Sequence, residues 1–282
     1  MLRTQNGLRL LGPSDLAATL ELLARDPVVN VFADSRSRAT HLDPRRMGGE
    51  MWGYLVDGRL VSACHVAANL VPVQATPDAI QAFAARGIQQ RRRCSTIVGP
   101  LEPVASLWEE LSAHWSPPRE FRWDQPHMQA SKPSSVDPDP LVRRTTAADL
   151  GALYPACVAM YTEEVGISPE AAGGGAQTYR ARVSQLITKG WSFARIENGR
   201  VVFKAEVAAA SPYACQVQGV YVVPDRRGEG LAVTGMAAVL ALALRDIAPV
   251  VSLYVNHHNI PARRAYEAVG FQQTDVFATI MF

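Results

Sequence analysis

Between Val220 and Ala232 the chain reads Val-Tyr-Val-Val-Pro-Asp-Arg-Arg-Gly-Glu-Gly-Leu-Ala. A β-branched run meets a proline, turns through two glycines and enters the apolar stretch 231–245. A strand that passes into a helix through so short a turn belongs to a layered α/β architecture, with helices covering a sheet. The turn also carries chemistry. The first amides of a helix lack intrahelical acceptors, and together with the helix dipole they favour an anion such as a pyrophosphate. Gly228 and Gly230 tolerate positive φ and let a ligand approach the backbone closely. Taken alone, the same pattern also describes a helix that merely starts with glycines.

The segments around this turn are well punctuated. Residues 141–145 read as a short strand, and Thr146 with Asp149 three positions on resembles a capping box that opens a helix to about Glu164. A Pro- and Gly-containing loop spans 165–175, and a second helix covers 176–188. Asn198-Gly199 marks a hairpin between strands at 191–197 and 200–210, and a further strand covers 215–223. After the helix at 231–245 come a strand at 249–255, a helix at 261–269 closed by Gly270, and a final strand or strand pair at 271–282. The predicted order is β-α-α-β-β-β-α-β-α-β. Residues 1–130 echo it, with a strand at 7–11, a helix at 13–24, a hairpin around Asp57-Gly58, a helix at 77–91, a strand at 94–98 and a helix at 104–115. This echo suggests a duplicated and diverged fold.

A length of 282 residues suits two domains. The proline-rich stretch 129–140, Gln-Ala-Ser-Lys-Pro-Ser-Ser-Val-Asp-Pro-Asp-Pro, reads as the linker between domains at 1–130 and 141–282. With 28 basic and 26 acidic residues the net charge is only +2, which argues against nucleic acid as the partner. No apolar run reaches the ~18–20 residues of a membrane helix, and the first fifteen residues lack a signal peptide's apolar core. A cytoplasmic protein without membrane association is expected. Cys64, Cys94, Cys157 and Cys215 stand far apart, with neither zinc nor disulfide-framework spacing. The adjacent His257 and His258 point to different faces, so no metal site is expected.

Arg227, Gly230 and Ala232 spell R-x-x-G-x-A after a strand ending Val-x-Pro, and this resembles the acetyl-CoA-binding core of the GNAT superfamily of N-acetyltransferases. The segment 253–271 resembles the family's closing strand and helix, ending A-x-x-x-Y-E-x-x-G-F at Ala262, Tyr266, Glu267, Gly270 and Phe271. The resemblance covers nearly all of 141–282. It implies an α/β fold of two GNAT-like domains, each a mixed, mostly antiparallel central sheet flanked by helices. It further implies that Val220 and Val222 offer backbone groups to the pantetheine arm of acetyl-CoA. The amides of Arg227, Gly228, Glu229, Gly230, Leu231 and Ala232 would cradle the pyrophosphate, and Asn259 would touch the cofactor while capping its helix. The implied partner is an amine acceptor, small molecule or peptide; neither its identity nor the oligomeric state is legible.

Acetyl transfer needs a neutral amine, a polarised thioester carbonyl and a proton for the departing thiolate. The family places the Val222 N–H as an oxyanion donor and Tyr266 as the acid. For the base, Glu206 falls opposite Gln218 beside the cofactor strand, where burial would raise its pKa. The alternative is a solvent-facing Glu206 beside Lys204, and Glu163 and Glu164 are rival bases or amine-recognition groups. In the first half the matching turn falls at 94–104, where Pro100 and Pro103 remove amide donors. That half reads as a degenerate GNAT-like domain. Three other functions fit parts of the pattern: a non-catalytic acyl-CoA-binding regulator, a Rossmann enzyme with an incomplete G-x-G-x-x-G, and an aminoacyl-tRNA-dependent transferase, which has no need of a pyrophosphate cradle.

Overall fold

The computed structural model describes residues 7–171 and 173–282; residues 1–6, part of the segment read for a signal peptide, lie outside the described residues. The chain forms two compact units, and neither is continuous in sequence. Unit 1 holds the residues up to His127 together with Tyr254–His258 and Gln273–Phe282; unit 2 holds Met128–Leu253 and Asn259–Gln272.

The chain begins with β1 (Gly7–Leu10), α1 (Leu16–Leu23), α2 (Val31–Thr40), α3 (Pro44–Met47), β2 (Glu50–Val56), β3 (Arg59–Val66) and β4 (Asn69–Val73). It continues with α4 (Pro77–Gln90), β5 (Thr96–Pro100), α5 (Leu101–Ser112) and β6 (Glu120–Ala130). Next come β7 (Arg143–Arg144), α6 (Leu150–Val165), α7 (Gly175–Thr188), β8 (Ser192–Glu197), β9 (Arg200–Ala210) and β10 (Cys215–Val222). The last elements are α8 (Leu231–Asp246), β11 (Val251–Tyr254), α9 (Ile260–Val269) and β12 (Gln272–Met281). From β7 onward this is the order the sequence predicts. The chain end is one long strand rather than a pair.

In unit 1 the strands lie in the order β1-β2-β3-β4-β5-β12-β6. The first four are antiparallel neighbours, β4 and β5 run parallel, and β12 is antiparallel to β5 from Phe277↔Pro100 to Met281↔Thr96. Strand alternation sends Ala63 to one face, with Leu22, Leu23 and Met51. Cys64 goes to the other, with Phe83, Ile97, Leu107, Ala278 and Ile280. In unit 2 the order is β11-β10-β9-β8-β7, antiparallel throughout except for the parallel pair β10–β11. Helices α6 and α7 cover one face through Leu153, Cys157 and Val183, packed with Ala194 and Val201. Helix α8 crosses close above Phe203, where a Cβ on Gly235 would stand 2.8 Å from the ring. Gly235 is therefore a packing requirement, which outweighs the ~1 kcal/mol that glycine costs inside a helix.

Local devices recur in both units. Asp57 (φ 49°) with Gly58 (φ 75°), and Asn198 (φ 50°) with Gly199 (φ 75°), turn the hairpins β2–β3 and β8–β9 through left-handed pairs that match strand twist. Arg9 holds Asp15, whose carboxylate accepts the Gly12 N–H at 2.9 Å. Six residues likewise separate Arg143 from Asp149, whose carboxylate accepts the Thr146 N–H at 2.7 Å. The capping box read at Thr146 thus has a twin in unit 1. Among the described residues no helix is long and apolar enough to cross a membrane.

Candidate functional site

Strand β10 is held on one side by β9, with Val222 opposite Phe203, and Val223 donates its N–H to Val202 O at 3.1 Å. Antiparallel alternation turns the Val222 N–H and C=O to the opposite edge. On that edge the parallel ladder to β11 is registered only at Cys215↔Val251 and Gln216↔Ser252, so β10 and β11 part beyond Gln216. Between Gln218, opposite Glu206, and Tyr221, opposite Lys204, β10 carries one extra residue. This β-bulge contains Gly219 (φ 62°) and Val220.

Past β10 the chain makes one short turn of 3-10 helix, Pro224–Arg226, and then passes through Gly228 (φ 84°) and Gly230 (φ 82°) into α8. Gly230 occupies the N-cap without a side chain to offer, and a Cβ at either glycine would meet nothing within 4 Å. Val233 is the first amide of α8 to turn inward, donating to Gly230 O at 3.0 Å. Among the described residues no internal acceptor takes the amides of Gly228, Glu229, Gly230, Leu231 or Ala232. A chain of ion pairs braces the turn: Arg226 bridges Glu229 and Glu197, and Arg195 bridges Glu197 and the buried Asp139 of the linker. Asp139 also donates its N–H to Thr234 O on α8 at 3.0 Å, which docks the linker within unit 2.

The side chain of Arg227 lies back along β10. Its Nε donates to Val222 O at 3.1 Å and its Nη2 to the Glu163 carboxylate at 2.7 Å. Asn259 caps α9 by accepting the Ala262 N–H at 3.3 Å, and it is exposed. Tyr266 is buried and meets Phe271 edge-on. Burial, reinforced by the charge of Glu164, holds its phenol well above the ordinary tyrosine range. The phenol therefore keeps its proton at neutral pH.

Glu206 is buried opposite Gln218, which excludes the solvent-facing alternative. Its Oε1 accepts from Lys204 Nζ at 2.8 Å and from Cys157 Sγ at 3.3 Å. Lys204 is fully buried and also donates to Gly219 O in the bulge at 3.0 Å. Burial alone would lower its pKa, but the Glu206 carboxylate outweighs that and the net shift is upward, so the ammonium persists. The Cys157 thiol is pushed up to about 12, chiefly by burial, and stays protonated. Lys204, Cys157 and Gly219 were not picked out as site residues from sequence. A glycine in the interior of a strand is the one signal that points to them.

Residues 190–271 match the Acetyltransferase (GNAT) family, a segment that contains the whole β8–β11 sheet, the glycine turn and α9. The match thus identifies a GNAT-family domain within residues 190–271. Residues 49–153 match a domain of unknown function (DUF4081). Among solved structures, a GNAT-family acetyltransferase from Colwellia psychrerythraea is 15% identical over 98% of this chain and 99% of its own, with a TM-score of 0.55. A tandem GNAT protein from the clavulanic acid biosynthesis pathway is 16% identical over 98% of both chains, with a TM-score of 0.57. A GCN5-related N-acetyltransferase from Sphaerobacter thermophilus is 15% identical over 97% of this chain and 95% of its own, with a TM-score of 0.60. At these identities the likeness is one of fold. No curated protein matches the chain.

Within residues 190–271 the residues singled out from sequence fall on the glycine turn, its flanking strand β10 and helix α8, helix α9 and, for Glu206, strand β9. The counterpart in unit 1 is not at 94–104, as expected from sequence. Strand β4, like β10, is antiparallel to the strand before it and parallel to the strand after it, so β4–α4 matches β10–α8. The turn to compare is therefore 73–79, and the prolines at 100 and 103 open α5, the counterpart of α9. Among the described residues no group of three or more His, Cys, Asp or Glu is arranged to hold a metal ion.

Proposed function

We propose that unit 2 transfers an acetyl group from acetyl-CoA to a primary amine. The observation that carries this reading is the run of unsatisfied amides from Gly228 to Ala232 at the start of α8, beside a strand edge released from β11. Such a run suits a pyrophosphate, and the free edge at Val220 and Val222 suits an extended chain of amides like the pantetheine arm. Arg227 would trade Glu163 for phosphate, and Asn259 would stand beside the arm.

In this reading the Val222 N–H stabilises the oxyanion as the amine attacks the thioester carbon and the C–S bond breaks. Tyr266 gives its proton to the leaving thiolate. Glu206 takes the proton lost by the amine through Oε2, the oxygen nearest the bulge: a Cβ built on Gly219 would lie 3.2 Å from it. Proximity of the two bound substrates supplies much of the acceleration. We place the reaction in the cytoplasm, in keeping with the buried free thiols of Cys64, Cys94, Cys157 and Cys215.

One observation favours a second reading. The Oε1 of Glu206 is already engaged within the unit by Lys204 and Cys157, which suits a regulator that binds acyl-CoA without turning it over. Thiol release from acetyl-CoA, measured against small amines, amino acids, aminoglycosides and peptides, separates the two. Amine-dependent release supports the enzyme. Tight binding with no release for any amine leaves the regulator.

A further inference from the structure

A fully buried lysine is among the rarest features of a protein interior and needs compensation on every side. Lys204 has it: Glu206 supplies the charge, and Gly219 O supplies an acceptor at 3.0 Å. That carbonyl belongs to the residue at which β10 bulges. We infer that Lys204 is a positioning residue of the acyl-transfer site, which fixes the Gly219–Val220 peptide and so sets the backbone edge from Val220 to Val222. The inference rests on the acetyltransferase reading of unit 2.

Three independent features converge on this peptide. The register slips by one residue between Gln218 and Tyr221, so the ladder itself does not hold the bulge. Gly219 adopts φ 62°, and a Cβ there would stand 3.1 Å from Met160 Cε and 3.2 Å from both Lys204 Nζ and Glu206 Oε2. The backbone conformation therefore favours glycine, and any side chain would have to displace the tips of Met160, Lys204 and Glu206. Finally, the Gly219 carbonyl is turned toward the ammonium. In a trans peptide the N–H of Val220 then points the opposite way. An ammonium on the carbonyl also draws electron density from the peptide and strengthens that N–H as a donor. In this arrangement Glu206 serves Lys204 as counter-ion whatever further part it takes in proton transfer.

The test uses the full chain. Lys204→Met alone would leave Glu206 as an unpaired buried charge, so the informative variant is the double replacement Lys204→Met with Glu206→Leu. Glu206→Gln serves as the control that removes the carboxylate but keeps the Lys204 amine, a donor in either charge state, on Gly219. The double variant should remain folded yet bind acetyl-CoA at least tenfold more weakly and lose a larger factor in kcat/KM for the donor. Glu206→Gln should keep donor affinity within about threefold even where kcat falls. Equal donor affinity in the folded double variant and the wild type would overturn the inference. Failure of the wild type to bind acetyl-CoA would instead remove the acetyltransferase reading beneath it. Should the double variant not fold, the wild type decides the matter by NMR. A scalar coupling between Lys204 15Nζ and the Gly219 13C carbonyl that persists and strengthens on addition of acetyl-CoA supports the inference, and its absence overturns it.

Discussion

The two strand-to-helix turns, β4–α4 in unit 1 and β10–α8 in unit 2, share a topology and differ in where their amides go. Each follows a parallel pair registered at only two positions, Asn69↔Thr96 and Leu70↔Ile97 in one, Cys215↔Val251 and Gln216↔Ser252 in the other. In unit 2 the turn is bare: glycine at the N-cap and free N–H groups from Gly228 to Ala232. In unit 1 the same place is filled from within. Ser62 donates to Gln74 O at 2.7 Å and accepts the Thr76 N–H at 3.2 Å; Thr76 caps the Ala79 N–H; Pro77 has none to give; Asp78 adds a negative charge. Two turns of one topology can thus share a strand splay and differ in whether the chain supplies its own acceptors to the amides.

The sharpest way to break this contrast is through the helices that follow. Tyr266→Phe should retain donor binding but lower kcat by roughly 10²-fold, the usual scale for loss of a general acid. The α5 counterpart contains no tyrosine, and Trp108→Leu there should leave kcat unchanged. Equal turnover of Tyr266→Phe and wild type would return Tyr266 to a packing role. A smaller effect comes from the turns themselves. Gly230→Asp should weaken acetyl-CoA binding at least tenfold, about 1.4 kcal/mol, whereas Asp78→Gly should leave it unaltered. Calorimetry of the wild type should give one acetyl-CoA per chain, and a ratio near two would show that unit 1 also holds a site.

The smallest effects test the likeness rather than the difference. Asp15→Asn and Asp149→Asn should each cost about 0.5–2 kcal/mol, as lost caps do. The hydrogen bond from Arg143 holds the Asp149 carboxyl well below the usual carboxylate range, and Arg9 lowers Asp15 in the same way. Both shifts are downward. The stabilisation is therefore complete above the unfolded pKa of about 4 and is lost as pH falls through the folded value. Melting curves between pH 2 and 7 should show wild type and variants converging on the acid side. A gap that stays constant would mean that the caps do not act through charge.

Much of this fold is legible in sequence because its decisive signals are local. The left-handed pairs at Asp57-Gly58 and Asn198-Gly199, the Thr146–Asp149 box and the glycines before α8 each specify backbone conformation within a few residues. Four elements escaped, the single-turn helix α3 among them. Helix α2 is polar along most of its length, though it buries Asp34 and Ser37. Strand β4 is short and contains Pro72, which is tolerated because pairing with β5 has already ended at Leu70. Strand β6 mixes charges with Pro126 and looks like a loop until its neighbour β12 is known. Without β4 the two halves align one strand–helix step out of register, which puts Pro100 and Pro103 at the turn. At the site, period-two alternation puts Lys204 and Glu206 on one face but says nothing about what covers it. The cover comes from Cys157 and Met160 on α6, some fifty residues away in sequence, and only the assembled unit shows it.

The membership of β12 in unit 1 sets a timetable for the protein's birth on the ribosome. Ala278 and Ile280 complete the core built by Phe83, Ile97 and Leu107, and β12 is the partner of β5. Unit 1 is translated first, yet one strand of its sheet emerges only after the whole of unit 2 has been made. Long-range closure of this kind slows folding and leaves an edge unpaired while synthesis continues. The nascent first half must wait with β5 open, a stage at which a chaperone or a second nascent chain can reach it. A stop codon just before Gln273 would consequently damage the half of the molecule farthest away in sequence.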